Sequence, residues 1–177
     1  MMDTAQIVEE LWAREQIRDC LYRYSRGIDR YDVDLVRSCY HPGAVDEHGV
    51  FNGDLEGFVG LVHRFRGPDS DYGLMQHVIT NTLIERDGDV ARVESYLYNP
   101  LVGRDPGAGL PDILIGGRFV DRFENRDGRW AIAHRKLVYD YCRMDPPTPK
   151  MWEQWPGTEV LFGRADAGDP LYDAVPR

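Results

Sequence analysis

Four segments rich in β-branched and aromatic residues decide the fold: LMQHVITNTLIER (74–86), VARVESYLYNPLV (90–102), ILIGGRFVDRFENR (113–126) and RWAIAHRKLVYDYC (129–142). Residues of these types favour β-strands. Asp87-Gly88 separates the first two segments and Asp127-Gly128 the last two, and an Asp-Gly pair in this position is a strong hairpin signal. With a Gly/Pro loop at 103–111 between the hairpins, the sequence predicts four consecutive long antiparallel strands.

A long helix is predicted before these strands, over residues 4–30. Its main apolar face repeats at helical spacing and carries Ile17, Leu21, Tyr24 and Ile28. A shorter stripe of Ile7 and Leu11 is out of phase with that face. We therefore expect a bend or break near residues 12–14.

Two shorter helices are predicted at 33–40 and 55–65, and a short strand at 44–51. Helices first and a strand meander afterwards is the α+β pattern. Helices with such short apolar stripes can cover a sheet only if the sheet curls around them, and a curled sheet closed by helices retains a cavity. We predict an α+β cone of the cystatin-like kind, with a curved antiparallel sheet covered by N-terminal helices and a small-molecule pocket between them.

The chain is expected to divide into residues 1–145, which form this domain, and an irregular C-terminal tail, 146–177. Pro, Gly and Asp dominate the tail, and its apolar periodicity disappears. Four aromatic residues suffice to dock it on the domain or on a neighbouring subunit: Trp152, Trp155, Phe162 and Tyr172.

Composition excludes several classes of function. The formal net charge is −9, whereas nucleic-acid binding needs a basic footprint. No apolar run approaches the ~18 residues of a membrane span, and the acidic N-terminus does not resemble a signal peptide, so we expect a cytoplasmic protein. Cys20, Cys39 and Cys142 are odd in number and lack C-x-x-C spacing, which favours small buried apolar residues over a disulfide framework or zinc site.

The usual signatures of nucleotide, metal and serine-hydrolase chemistry are missing from the sequence, and no cofactor is predicted. What remains is polar residues at positions where apolar ones are expected. Tyr24 lies on the inward face of the first helix, where its hydroxyl needs a partner. Asp29 stands at the end of that helix, where the helix dipole opposes a carboxylate, so a cationic or hydrogen-bonding partner is expected.

His77 lies within the first predicted strand, on the same face as Asn81. We expect it to be half-buried, and histidine is the side chain whose charge changes near neutral pH. A structural histidine whose hydrogen bonds are satisfied fits the pattern too. The other histidines at positions 41, 48 and 63 are interpreted as surface or packing residues.

Neighbouring residues on a strand point to opposite faces, so His134 or Arg135 can reach the pocket, and so can Asp46 or Glu47. We assign Arg135 to catalysis. The candidate substrate-binding residues are His134, Asp46, Asn81, Tyr96, Tyr98 and Phe119. The aromatic members of this set equally fit an ordinary core or a subunit contact.

Residues 5–142 resemble the SnoaL-like branch of the nuclear transport factor 2-like superfamily, which has this cone fold. The resemblance lies in EELWAREQIRDCLYRYSRGIDRYDVDLVRSCYHPGAV (9–45), MQHVITN (75–81) and ILIGGRFVDRFENRDGRWAIAHR (113–135). Scytalone dehydratase, hexachlorocyclohexane dehydrochlorinase and bile-acid 7α-dehydratase are the similar enzymes. In the last two, an aspartate ending the first helix pairs with a strand histidine, and Asp29 and His77 occupy those positions. Tyr24 matches a tyrosine of the bile-acid enzyme.

The resemblance implies a cofactor-independent, dehydratase-like lyase acting on a cyclic, largely apolar terpenoid, steroid or polyketide. His77 would be the general base, Asp29 would hold its ring, Tyr24 would bond a substrate oxygen, and Arg135 or His134 would stabilise the enolate. It also implies a homodimer or homotrimer packed through the sheet. An isomerase or polyketide-type cyclase, and a non-catalytic binding or assembly module in which Asp29 and His77 are a structural pair, stay open. The strand at 90–102 offers no second pocket histidine.

Overall fold

The structure, a computed structural model, describes residues 2–147, 163–166 and 168–172. Its helices are α1 (Thr4–Asp29), α2 (Val33–Arg37) and α3 (Leu55–Arg66). Its strands are β1 (Tyr40–Glu47), β2 (Asn52–Asp54), β3 (Tyr72–Met75), β4 (Val78–Asp87), β5 (Val90–Gly103), β6 (Asp112–Arg126) and β7 (Arg129–Asp145).

A single mixed sheet forms the body of the fold. Its order is β2-β1-β7-β6-β5-β3, and β4 also pairs with β5 beyond the end of β3. All pairs are antiparallel except β1 with β7, which is parallel. Register shifts along β4–β5 and β6–β7 bend the strands, as bulges do. The prediction of an α+β fold with a curled sheet covered by helices is confirmed, and the parallel β1–β7 pair is an addition to it.

The core lies between α1 and the concave face of the sheet. The predicted face of α1 is buried along its whole length, at Ile17, Leu21, Tyr24 and Ile28. It packs against β6 and β7 residues that are themselves fully buried, among them Phe119, Phe123 and Ile132. Burial of large side chains of this kind is the main favourable term in folding.

The expected break near residues 12–14 is wrong, because α1 is one continuous helix. A capping box of Asp3 and Gln6 starts it, and Arg86 of β4 pairs with Glu9 and Glu10 on its first turns. The out-of-phase stripe of Ile7 and Leu11 stays exposed, at 45% and 60%, and so does the neighbouring Trp12 at 63%.

The first predicted long strand is interrupted at residues 76–77, so His77 lies between β3 and β4 rather than inside a strand. The Asp29 carboxylate accepts a hydrogen bond from the backbone N–H of His77 at 3.0 and 3.1 Å. This N–H is therefore not part of the hydrogen bonding between strands. Further along β4, Asn81 takes a left-handed φ of 29° beside a register shift, which ends the alternation that placed it on the face of His77.

The described part of the tail touches the end of α1. Asp169 is buried and pairs with Arg30 at 3.2 Å, and the Arg26 guanidinium lies 5.9 Å from the Tyr172 ring centroid. The predicted docking residues Trp152, Trp155 and Phe162 lie outside the described residues. Cys20 and Cys39 are buried as expected, but Cys142 is exposed because it falls where β7 extends past the core. Among the helices in the described ranges, none is long and apolar enough to cross a lipid bilayer.

Candidate active site

A cavity of about 200 Å³ lies between α1, α3 and the concave face of the sheet. Most of its wall is apolar, from Ile28, Val50, Phe58, Leu61, Val62, Phe65, Met75, Leu97, Leu101, Ile113, Ile115 and Leu137. The polar side chains in the wall are Tyr24, His48, Arg66, Tyr72, His77, Asn99 and Tyr139. A mostly apolar cavity with a few convergent polar groups is typical of a small-molecule site.

The first histidine of the cavity, His77, is paired with Asp29. Its Nδ1 lies 2.7 Å from Asp29 Oδ1, and the two side chains are only 8% and 13% exposed. A carboxylate only accepts, so Nδ1 carries a proton and Nε2 is the ring nitrogen that this pair does not use. Because His77 lines the cavity, this arrangement presents a basic nitrogen to whatever occupies it.

Arg66 resolves much of the conflict between Asp29 and the helix dipole. Its guanidinium donates to the backbone carbonyls of Asp29 at 2.9 Å and Ile28 at 3.4 Å, where α1 ends. Arg66 is 3% exposed, and burial lowers the pKa of this guanidinium against the opposing charge of Asp29. No carboxylate in the described ranges lies within ion-pair distance of it. Sequence reasoning missed Arg66, because α3 showed only an apolar face and a basic end.

A second histidine of the cavity, His48, was interpreted from the sequence as a surface or packing residue, and it is not a surface residue. It is 8% exposed and lines the cavity. Its Nδ1 forms a short hydrogen bond with Asp46, which is 1% exposed and also accepts the Tyr40 hydroxyl at 2.6 Å. Asp46 and His48 are two residues apart, so the strand directs both to one side, and this spacing was the available signal.

The turn after β1 aims His48 inward. Gly49 has a left-handed φ of 76°, which glycine adopts without strain. The Tyr139 ring covers this glycine, and its hydroxyl donates to the backbone carbonyl of His48 at 3.1 Å. The ring of His48 stacks on Phe58 with centroids 4.8 Å apart.

Tyr24 lies between the two histidines. Its hydroxyl is 3.5 Å from His48 Nε2, and its ring centroid is 6.0 Å from that of His77. Burial raises the pKa of Tyr24, so the phenol stays protonated across the ordinary pH range. The structure thus brings together Tyr24, Asp29 and His77, three of the four residues predicted to be catalytic.

The prediction that Arg135, the fourth residue, is catalytic is not supported, because Arg135 does not line the cavity. It is fully buried behind Tyr24, with its guanidinium 4.1 Å from that ring centroid and 3.9 Å from that of Phe119. It forms a two-pronged ion pair with Asp121 at 2.6 and 2.8 Å. Arg135 points to the inner face of the sheet, as predicted, but Tyr24 fills the space between Arg135 and the cavity.

None of the six predicted substrate-binding residues lines the cavity. Asp46 and Phe119 are buried behind His48 and Tyr24, whereas Asn81 is exposed. His134 points outward and pairs with Glu47 at 2.7 Å. Tyr96 and Tyr98 are 46% and 47% exposed on the outer face, because β5 turns its odd-numbered residues inward: Leu97, Asn99 and Leu101. The aromatic count indicated an apolar interior but not which strand face supplies it.

Comparison with known proteins relates the chain to one family. Residues 9–136 match the model of a family described as SnoaL-like domain. No curated protein matches the sequence significantly. In the part of the chain that the structure describes, no group of three or more His, Cys, Asp or Glu residues could hold a metal ion.

Several solved structures share the fold. Hexachlorocyclohexane dehydrochlorinase LinA-type3 from Novosphingobium barchaimii is 18% identical, with a TM-score of 0.68, over 87% of this chain and 97% of that chain. A putative scytalone dehydratase from Novosphingobium aromaticivorans is 16% identical, with a TM-score of 0.66, over 80% and 96%. A variant of the Mycobacterium tuberculosis protein Rv3472, of unknown function, is 25% identical, with a TM-score of 0.62, over 78% of each chain.

Proposed function

The chain belongs to the SnoaL-like domain family, and from that premise we propose that it is a cofactor-independent lyase. It removes water or HX from a cyclic, largely apolar small molecule. The observation that carries the proposal is the His77–Asp29 pair, held at 2.7 Å in the wall of a mostly apolar cavity. Two structurally similar proteins are named for eliminations, a dehydrochlorinase and a putative dehydratase, which supports this chemistry.

His77 is the general base in this proposal. Nε2 takes a proton from the carbon next to a carbonyl, while Asp29 fixes the tautomer and stabilises the imidazolium as it forms. General-base help of this kind contributes ~10²–10⁴-fold to the rate. The same carboxylate accepts the backbone N–H of His77, so the ring is held from two directions.

Arg66 takes the role that the sequence assigned to Arg135, stabilising negative charge on the carbonyl oxygen as the enolate forms. It is a buried cation in the cavity wall, and it is tied to His77 through Asp29. A guanidinium has five N–H donors, and its three bonds to backbone carbonyls leave donors for a substrate oxygen. A cation fixed in a dry site stabilises developing charge far more than one in water.

The cavity wall favours a cyclic apolar substrate of the terpenoid, steroid or polyketide kind with few oxygens. Two of its polar groups, His48 and His77, lie beside Tyr24, and apolar side chains from α3, β5 and β6 form much of the remainder. A hydroxyl or halide on the carbon adjacent to the enolate carbon is the leaving group that this arrangement suits.

The test is turnover of cyclic β-hydroxy ketones of terpenoid and steroid type, followed by the ultraviolet absorbance of the conjugated enone. His77→Ala and Asp29→Asn should each lower kcat/KM by ~10²–10⁴-fold while circular dichroism shows an unchanged fold. His134→Gln is the matched control, because His134 also pairs with a carboxylate but lies outside the cavity. Normal turnover in His77→Ala would overturn the mechanism. Ligand binding without conversion would favour a non-catalytic module.

An isomerase is the second candidate, favoured by the second histidine in the same cavity. Two ring nitrogens facing one substrate could remove a proton at one carbon and return it at another. Reaction in deuterated water separates the cases, since an isomerase product keeps the mass of the substrate plus deuterium, whereas a lyase product has lost water.

We also propose a homo-oligomer packed through the outer face of the sheet. Tyr98, Gly116 and Tyr141 stand in one row across β5, β6 and β7, and the Tyr141 ring lies flat over the glycine. Tyr98 and Tyr141 are 47% and 50% exposed. Light scattering after size-exclusion chromatography should give a dimer or trimer at micromolar concentration, and a monomer would count against it.

A further inference from the structure

We propose that His48, held by Asp46, is the general acid of the same site and delivers a proton to the leaving hydroxyl. The inference rests on the proposed lyase function and adds the group that a departing hydroxide needs. Hydroxide is a poor leaving group, so its loss as water requires a proton donor on the leaving side of the substrate.

The geometry of the two histidine–aspartate pairs is alike. In each, the carboxylate holds Nδ1, and the histidine lines the cavity, which leaves Nε2 as its free nitrogen there. Tyr24 stands between them, with its hydroxyl 3.5 Å from His48 Nε2. That contact is long for a hydrogen bond, so Nε2 remains available to a substrate oxygen.

The buried charges around the two pairs differ. Behind His48 lie Asp46, Asp121 and Arg135, which are 1%, 2% and 0% exposed. Two carboxylates against one guanidinium leave one negative charge uncompensated, and an imidazolium on His48 neutralises it. Buried charge without a partner is costly, so a proton carried by His48 offsets the excess negative charge of the cluster.

The other groups around His48 are neutral. Tyr24 of α1, Tyr40 of β1 and Tyr139 of β7 contact the ring, its carboxylate partner or its backbone, and burial raises the pKa of each phenol. Phe58 of α3 covers one face of the ring. The imidazolium would therefore be the only cation besides Arg135 among these described neighbours.

Around His77 the charges already balance. Asp29 carries one negative charge, and Arg66 bonds to the same residue and carries one positive charge. A proton on His77 therefore meets one carboxylate and one guanidinium, whereas a proton on His48 meets two carboxylates and one guanidinium. Two similar histidine–aspartate pairs with different charges around them allow one site to hold both a base and an acid.

The step balances without a co-reactant. His77 Nε2 takes the proton from carbon, and the C–H electron pair forms the enolate. The enolate then collapses to the new C=C bond as the C–O bond breaks and its oxygen takes the proton from His48 Nε2. The products are the unsaturated ketone and water, with His77 protonated and His48 neutral. A proton returned from His77 to His48, through Tyr24 or solvent, restores the starting state.

The experiment compares two leaving groups on one ring, a cyclic β-hydroxy ketone and its β-chloro analogue. Chloride leaves without a proton, so His48→Gln should lower kcat/KM by ~10²–10⁴-fold for the hydroxy probe and only a few-fold for the chloro probe. His77→Ala should lower both. His134→Gln should lower neither. Equal losses of both probes in His48→Gln would overturn the acid role while leaving the lyase proposal standing. Failure of the wild type on both probes would count against the lyase itself.

A second measurement needs no turnover. In protein labelled with ¹⁵N-histidine at neutral pH, His48 should show two protonated ring nitrogens and His77 only one. Asp46→Asn keeps a hydrogen-bond partner but removes a charge, and it should convert His48 to the neutral ring. Assignment follows from the signals lost in His48→Gln and His77→Ala. A neutral His48 in the wild type would overturn the inference.

Discussion

The cavity holds two histidine–aspartate pairs that are built differently and surrounded differently. Asp29 and His77 are 48 residues apart and tie the end of α1 to the gap between β3 and β4. Asp46 and His48 are two residues apart and belong to one strand end. Arg66 balances the first pair, whereas the second is backed by an excess of buried carboxylate. Both carboxylates hold Nδ1, so the surrounding charge is what distinguishes the two imidazoles in the roles proposed for them.

The largest expected effect comes from breaking the charge cluster behind His48. Arg135→Met leaves Asp121 buried without its cation, which should lower the free energy of unfolding by about 3–5 kcal/mol. Denaturation by urea measures it. Arg122→Met is the control on β6, where an exposed ion pair contributes roughly 0–1 kcal/mol.

Adding Asp121→Leu to Arg135→Met should recover part of the lost stability, because both partners of the buried pair are then apolar. A loss in Arg135→Met no larger than in Arg122→Met would show that the cluster is not held by its charges.

The second-largest effect is expected when Arg66, the cation bonded to the partner of His77, is removed. Arg66→Met should lower kcat/KM for both the hydroxy and the chloro probe by ~10²–10³-fold, because both pass through an enolate that needs a donor. Arg64→Met, two residues away on the exposed side of α3, should leave turnover unchanged. A decrease confined to the hydroxy probe would instead indicate that Arg66 assists the departure of the hydroxyl group.

The smallest effect concerns the phenol that separates the pairs. Burial raises the pKa of Tyr24 in the folded protein above the ~10 of an unfolded chain. Above about pH 10 the unfolded state therefore releases a proton that the folded state keeps, and stability falls with rising pH. Tyr24→Phe should reduce that slope by about 1.4 kcal/mol per pH unit. Tyr22→Phe, on the exposed side of α1, should not, and parallel curves for wild type and Tyr24→Phe would contradict the burial argument.

The sequence was sufficient to predict the fold because each signal was local. Asp-Gly turns and β-rich segments specified the meander, and the stripe ending at Ile28 specified the buried face of α1. The parallel pairing of β1 with β7 and the continuity of α1 through residues 12–14 were not predictable in this way. Both depend on contacts with distant parts of the chain, such as Arg86 with Glu9.

The site was only partly predictable, for a related reason. Asp29, His77 and Tyr24 could be placed by resemblance and by the helix face. The two-residue spacing of Asp46 and His48 was a local signal, but His48 was missed because the turn at Gly49 and the ring of Tyr139, which aim it, do not show in the sequence pattern. Arg135 was placed on the correct face but behind Tyr24, since strand phase gives direction and not depth.

The division of labour between the two pairs can be tested most directly by proton exchange. A cyclic β-hydroxy ketone is incubated in deuterated water with His48→Gln or His77→Ala, and the recovered substrate is analysed by mass spectrometry. With the base intact and the acid removed, His48→Gln should exchange the proton next to the carbonyl for deuterium without losing water, whereas His77→Ala should do neither. Exchange that persists in His77→Ala, or that disappears equally in both variants, would contradict the assignment of base and acid.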